Sequence, residues 1–295
     1  MGSAATARRM QAWGLLTPML VIMVGITAWP LMRTIWLSFT STSIGGEPAQ
    51  WVGLENYWQA LSNTAFQESL GHTLYFTFVS VSLELVLGVA VGLLLNQPFK
   101  GQAFARALLV LPWALPTIVN AMMWRLIDGP EYGALNALLV QTGLLEDYRS
   151  WLGDPDIAME MVIVADVWKN YPFVALIMLA SLQSVPADLY EAARLDGAGT
   201  LARFWYVTVP GVMAPLSVAI VLRTIDAFKV FDVIYVMTKG GPADSTKALS
   251  FVVYQEAFSY LRIGSGAAYA ILMAGISALL IALYVAMLRK QEGST

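Results

Sequence analysis

The sequence has no cysteine, one histidine and few charges, and each shortage removes a class of function. Without cysteine there is neither a disulfide framework nor a thiolate metal site. With His72 alone, no HExxH run and no nucleophile–base pair, catalysis inside a membrane lacks its usual chemistry. No G-x-x-x-x-G-K-[ST] phosphate cradle occurs either. Charged residues are 13% of the 295, about half the quarter typical of a soluble domain. The formal net charge is only -3, with no basic block suited to nucleic acid.

What the chain has instead is long apolar runs, with 58% hydrophobic residues overall. Six segments stand out, at about 13–39, 70–95, 103–127, 157–182, 207–236 and 267–288. Each reaches the ~20 residues a helix needs to cross the hydrocarbon core. Their continuity lacks the alternation of a barrel. The fold class predicted is an all-α integral membrane protein with six transmembrane helices, forming one domain over 1–295. The first run follows Arg8 and Arg9, exceeds the apolar core of a signal peptide and lacks an A-x-A site, so it reads as an uncleaved anchor.

Lysine and arginine set the orientation. One side holds Arg8, Arg9, Lys100, Arg106, Arg194, Arg203, Arg289 and Lys290; the longer loops of the other hold only Arg149, Lys239, Lys247 and Arg262. Both termini are expected in the cytoplasm, with the acidic loop 128–156 outside.

Between the fourth and fifth runs lies a charged, glycine-punctuated loop, 183–206. Pro186 suits a helix start, and Asp188 and Glu191 suit the positive end of its dipole. Gly197 and Gly199 permit the turn that ends it, and LARFWYVTVP forms a second short helix. The loop helix either lies in the headgroup layer or seats against another protein, with Ala192 and Ala193 allowing close approach and Glu191 offering a charge.

Charges at membrane depth cost at least ~2.5 kcal/mol each on insertion scales. Asp166 and Lys169 share one helical face, and Arg223, Asp226 and Lys229 repeat that spacing beside Asp232. They serve either to neutralise one another and fix helix packing, or to line a polar cavity for a hydroxyl-rich ligand. Pro112 and Pro116 should bend the third span, with Asn120 one turn on to satisfy freed carbonyls. Glu84 reads as an interhelical hydrogen-bonding group, and His72 as an interfacial residue.

The loop contains Glu191-Ala192-Ala193, Gly197 and Val207-Thr208-Val209-Pro210, which resembles the E-A-A…G…I-x-L-P signature of binding-protein-dependent ABC importers. WVGLENYWQAL (51–61), RALLVLPWALPTIV (106–119), ADVWKNYPFVALIMLASLQSVPADLYEAARLDGAG (165–199) and FDVIYVMTKGGP (231–242) resemble the maltose-type sugar branch of that family. TKGGP followed by YQEAF (254–258) is similar to its first permease subunit.

The resemblance implies a type I ABC-importer permease fold in a bacterial cytoplasmic (inner) membrane. The loop would then be a coupling helix, with Glu191, Ala192, Ala193, Asp196 and Gly197 meeting a dimeric ATPase that binds ATP and Mg. The chain itself would hold no cofactor. Its partners would be that ATPase, a second permease subunit, an extracytoplasmic sugar-binding protein and membrane lipid, with no nucleic acid. Substrate contacts would fall on Trp113, Thr117, Asp166, Lys169, Asn170, Arg223, Asp226, Ala227 and Val230. Several of these are charged where the family is neutral, which leaves the sugar open. A secondary transporter using Asp166 or Asp226 as a proton site is the rival reading, although no related halves are visible. A membrane enzyme or a passive scaffold fits less well.

Overall fold

The computed structural model describes residues 2–46 and 48–292, with side chains described from 13 to 286 apart from 47. The side chains of Arg8, Arg9, Arg289 and Lys290 lie outside the described residues. In chain order the helices are α1 (Gly2–Met23), α2 (Trp29–Ser38), α3 (Glu55–Ser62), α4 (Thr64–Asn96), α5 (Gln102–Ala114), α6 (Thr117–Ile127) and α7 (Ala134–Gln141). There follow α8 (Ala158–Ser184), α9 (Ala187–Leu195), α10 (Thr200–Arg203), α11 (Val209–Phe228), α12 (Asp232–Met237), α13 (Leu249–Tyr254) and α14 (Ile263–Glu292). Among the described residues there is no strand, only an isolated bridge between Thr40 and Trp51. Among the described residues five helices are long and apolar enough to cross a membrane, and six if α5 and α6, bent by 95°, count as one span.

The bend follows from Pro112 and Pro116. Pro116 has no N–H and pushes Leu115 into extended backbone (ψ 137°). The Pro112 carbonyl is taken by the Leu115 N–H. Asn120 plays a different part from the one expected. Its Nδ2 donates to the Ala165 carbonyl of α8 (3.1 Å), so it ties α6 to α8 rather than capping the break.

Two boundaries also differ from the sequence reading. The second span begins at Thr64, and the short helix after Gly199 is not separate. α10 continues through a π-helical turn (Phe204–Thr208) into α11.

The chain divides into two compact units, Met1–Asn63 with Val253–Gly275 and Thr64–Val252 with Ile276–Thr295. In the first, Asn56 Nδ2 donates to the carbonyls of Ser38 (2.8 Å) and Thr40 (2.9 Å). Gly264 lies so close to the Thr40 carbonyl that any side chain there would collide with it.

The second unit is built on α8, whose buried residues run from Ala158 to Leu182. α4 packs along it because Gly88 and Gly92 present no side chain. A Cβ on Gly88 would lie 2.5 Å from Val174, and one on Gly92 2.7 Å from Met178. Between helices in lipid, such close backbone approach supplies the dispersion energy that association depends on. α11 packs on α8 and α4, and α12 on α6.

Candidate functional site

Three elements converge in the second unit on a cavity of ≈ 410 Å³. From α8 come Asp166, Lys169 and Asn170, whose spacing by three and four puts them on one helical face. From the α5–α6 bend come Trp113 and Thr117. From the end of α11 come Arg223 and Asp226. There α11 stops: Lys229 and Val230 close short turns onto the Asp226 and Ala227 carbonyls. Ser250 Oγ takes the Val230 carbonyl, and the chain re-enters helix at Asp232. This interruption adds Lys229, Val230, Phe231, Asp232 and Val233 to the wall.

The floor is an ion network. Arg223 Nε donates to Glu84 Oε2 (2.7 Å), and Nη2 donates to Glu84 Oε1 (2.9 Å) and Asp166 Oδ2 (3.4 Å). Nη1 lies 3.7 Å from Asp226 Oδ2, and Lys229 Nζ 3.7 Å from Asp226 Oδ1. Asn170 Nδ2 donates to Asp166 Oδ1 (2.9 Å). Asp166 is therefore paired with α11 and with its own helix neighbour Asn170; its expected neighbour Lys169 is in no ion pair among the described residues. Trp113 is 45% exposed and stacks on Phe173, with ring centroids 6.0 Å apart. Both Asn170 Nδ2 hydrogen bonds stay within α8. The cavity thus offers carboxylate acceptors, ammonium donors and an aromatic face. These are the groups that hold hydroxyl-rich ligands.

Of the nine residues expected to meet substrate, eight line this cavity: Trp113, Thr117, Asp166, Lys169, Asn170, Arg223, Asp226 and Val230. Ala227 does not. It is buried in the hydrophobic core with Phe76, Val233 and Ile234. Glu84, read from sequence as an interhelical hydrogen-bonding group, is that, with Arg223 as its partner.

At the far end of α8, α9 carries the loop signature. Pro186 precedes the helix and Asp188 sits in its first turn. The Gly197 N–H bonds the Arg194 carbonyl and the Ala198 N–H the Ala193 carbonyl. Gly197 itself takes φ +77°, a glycine-favouring conformation that completes this paired C-cap. Gly199 is instead extended and caps α10. Glu191 and Ala192 are exposed and Ala193 half-buried, while Leu189, Leu195, Leu201, Trp205 and Tyr206 present apolar surface. Tyr190 Oη and Thr208 Oγ1, 3.0 Å apart, tie α9 to the start of α11.

Residues 84–292 match the family described as binding-protein-dependent transport system inner membrane component. The chain belongs to this family. It is 42% identical to the trehalose/maltose transport system permease protein MalF of Thermococcus litoralis, over 85% of this chain and 83% of that one. It is 35% identical to the sulfoquinovosyl glycerol transport system permease protein SmoG of Agrobacterium fabrum, over 96% and 92%. In fold it is similar to a bacterial ABC transporter involved in the import of the acidic polysaccharide alginate (TM-score 0.83, 20% identity, 97% and 98% covered). Its membrane-crossing helices are those of an inner membrane transport component.

Proposed function

We propose that the whole chain, 1–295, acts as one permease domain of an ATP-driven sugar importer, and that the cavity between α8, α11 and the α5–α6 bend is where the sugar passes. The observation that carries this is the cavity itself: acceptors, donors and an aromatic face meet among helices apolar enough to cross a membrane, in a family whose relatives include trehalose/maltose and sulfoquinovosyl glycerol permeases. Its ≈ 410 Å³ falls within the ~300–1,000 Å³ of small-molecule sites. Water lost from sugar hydroxyls is replaced there by Asp226, Lys169 and Asn170, with Trp113 against the ring.

Both termini face the cytoplasm in this reading, as the lysine and arginine distribution favours. α9 then seats in an ATPase dimer that holds ATP and Mg, with Glu191, Ala192, Ala193, Asp196 and Gly197 at the contact. Closure of the ATPase moves α9, the Tyr190–Thr208 contact passes the motion to α11, and the cavity switches sides. A second permease completes the passage, and an extracytoplasmic binding protein delivers the sugar.

The test is uptake by the Asp226→Ala complex. Uptake falls while ATP hydrolysis without sugar persists; undiminished uptake would remove the cavity from the sugar's path.

A further inference from the structure

We propose that Glu84 sets the charge specificity of this passage, cancelling Arg223 from behind so that neutral sugars are accepted and anionic ones rejected. The inference rests on the reading of the cavity as the sugar site. Glu84 is fully buried on α4 and contributes nothing to the cavity wall, whereas Arg223 lines it.

An unoccupied guanidinium in such a wall is a ready receptor for a sugar carboxylate or sulfonate, because its planar fork matches two oxygens at once. In this protein the fork is already filled. Nε and Nη2 both donate to Glu84, Nη2 also reaches Asp166, and Nη1 faces Asp226. The surroundings reinforce the effect. Glu84, Asp166, Asp226 and Asp232 face Arg223, Lys169 and Lys229, leaving one carboxylate in excess. An anionic sugar would have to compete with a carboxylate that is part of the chain and already in place. Glu84 touches no substrate; it acts through Arg223 and is a positioning residue.

The experiment uses the complete transporter in proteoliposomes, with labelled trehalose and maltose outside as neutral probes. The uronate counterpart of each, with one primary alcohol oxidised to a carboxylate, is loaded on the ATP side. There it reaches the cavity without passing the binding protein. In the unaltered complex the uronate inhibits uptake weakly. Glu84→Gln keeps the shape and removes the charge, and inhibition by the uronate, relative to the neutral sugar, strengthens roughly ten-fold, as for one added charge-assisted contact. Glu84→Asp keeps the charge and stays near the unaltered ratio.

A purely structural role would lower the amount of transporter without moving this ratio, so an unchanged ratio in Glu84→Gln overturns the proposal. Should Glu84→Gln fail to assemble, Asp166→Asn removes a charge from the other side of Arg223 and must shift the ratio the same way. An unshifted ratio there overturns it equally. An unaltered complex that imports, with ATP, neither these probes nor any other sugar its binding protein delivers overturns the proposed function and this inference together.

Discussion

Glu84 and Arg223 lie 139 residues apart in sequence and join α4 to α11 through hydrogen bonds of 2.7 and 2.9 Å, with Glu84 fully buried. Removing one partner of such a pair strands a buried charge, which costs about 3–5 kcal/mol. Arg223→Ala strands Glu84 and weakens the hold on Asp166, so it should sharply reduce the yield and melting temperature of detergent-extracted protein. Arg223→Lys keeps the charge without the fork and should lose less. An unchanged melting temperature in Arg223→Ala would show that the pair holds nothing together.

Glycine positions on α4 separate packing from backbone freedom. A side chain at Gly88 would meet Val174 at 2.5 Å and the Ala175 backbone at 3.0 Å, while nothing lies within 4 Å of a Cβ at Gly71. Gly88→Ala should destabilise by about 1–3 kcal/mol through overpacking. Gly71→Ala should stabilise by up to ~1 kcal/mol through helix propensity. Thermal unfolding of the two variants side by side measures the difference, and equal shifts would refute the close approach of α4 to α8.

Glu191 is exposed on α9 and makes no ion pair or side-chain hydrogen bond among the described residues. Glu191→Lys should therefore leave folding and membrane insertion intact while abolishing ATP-coupled uptake. Normal uptake by this variant would remove α9 from the coupling role.

Asp128, just after α6, is 1% exposed, and neither carboxylate oxygen has a hydrogen-bond partner among the described residues. Burial raises its pKa from 3.8 to about 7. The folded state thus holds this proton more tightly than the unfolded chain does. Its contribution to stability is fully present below pH ~4, where both states are protonated. That contribution is lost progressively as pH rises through about 7. Asp128→Asn should flatten this part of the stability–pH curve and melt higher than the parent above pH 7. Parallel melting curves between pH 5 and 8 would contradict it.

Much of the site was legible because helical spacing carries it. Asp166, Lys169 and Asn170 share a face by arithmetic alone, and the proline pair announced the α5–α6 bend. Ala227 falls outside the cavity because it follows Asp226 by one residue, and about 100° of rotation turns its side chain into the core. Lys229 and Asp232 belong to the charges that the sequence assigns either to mutual pairing or to a polar cavity, yet neither is among the nine expected substrate contacts, although both line the wall. The break that turns them inward has no proline or glycine to mark it, and Ser250, distant in sequence, helps to hold it. The partnership of Glu84 and Arg223 was equally hidden, since nothing local in either span names the other. Gly88 and Gly92, four residues apart on one face of α4, are a signal for close helix packing that is present in the sequence itself.

The most direct test is ATP hydrolysis by material purified through a tag on this chain from membranes of its native host. An associated ATPase whose rate rises only when the binding protein and one sugar are both added is the expected result. A preparation with no ATPase, together with sugar uptake driven by an ion gradient, would contradict the importer reading. It would move attention to Asp166 and Asp226 as proton-carrying groups.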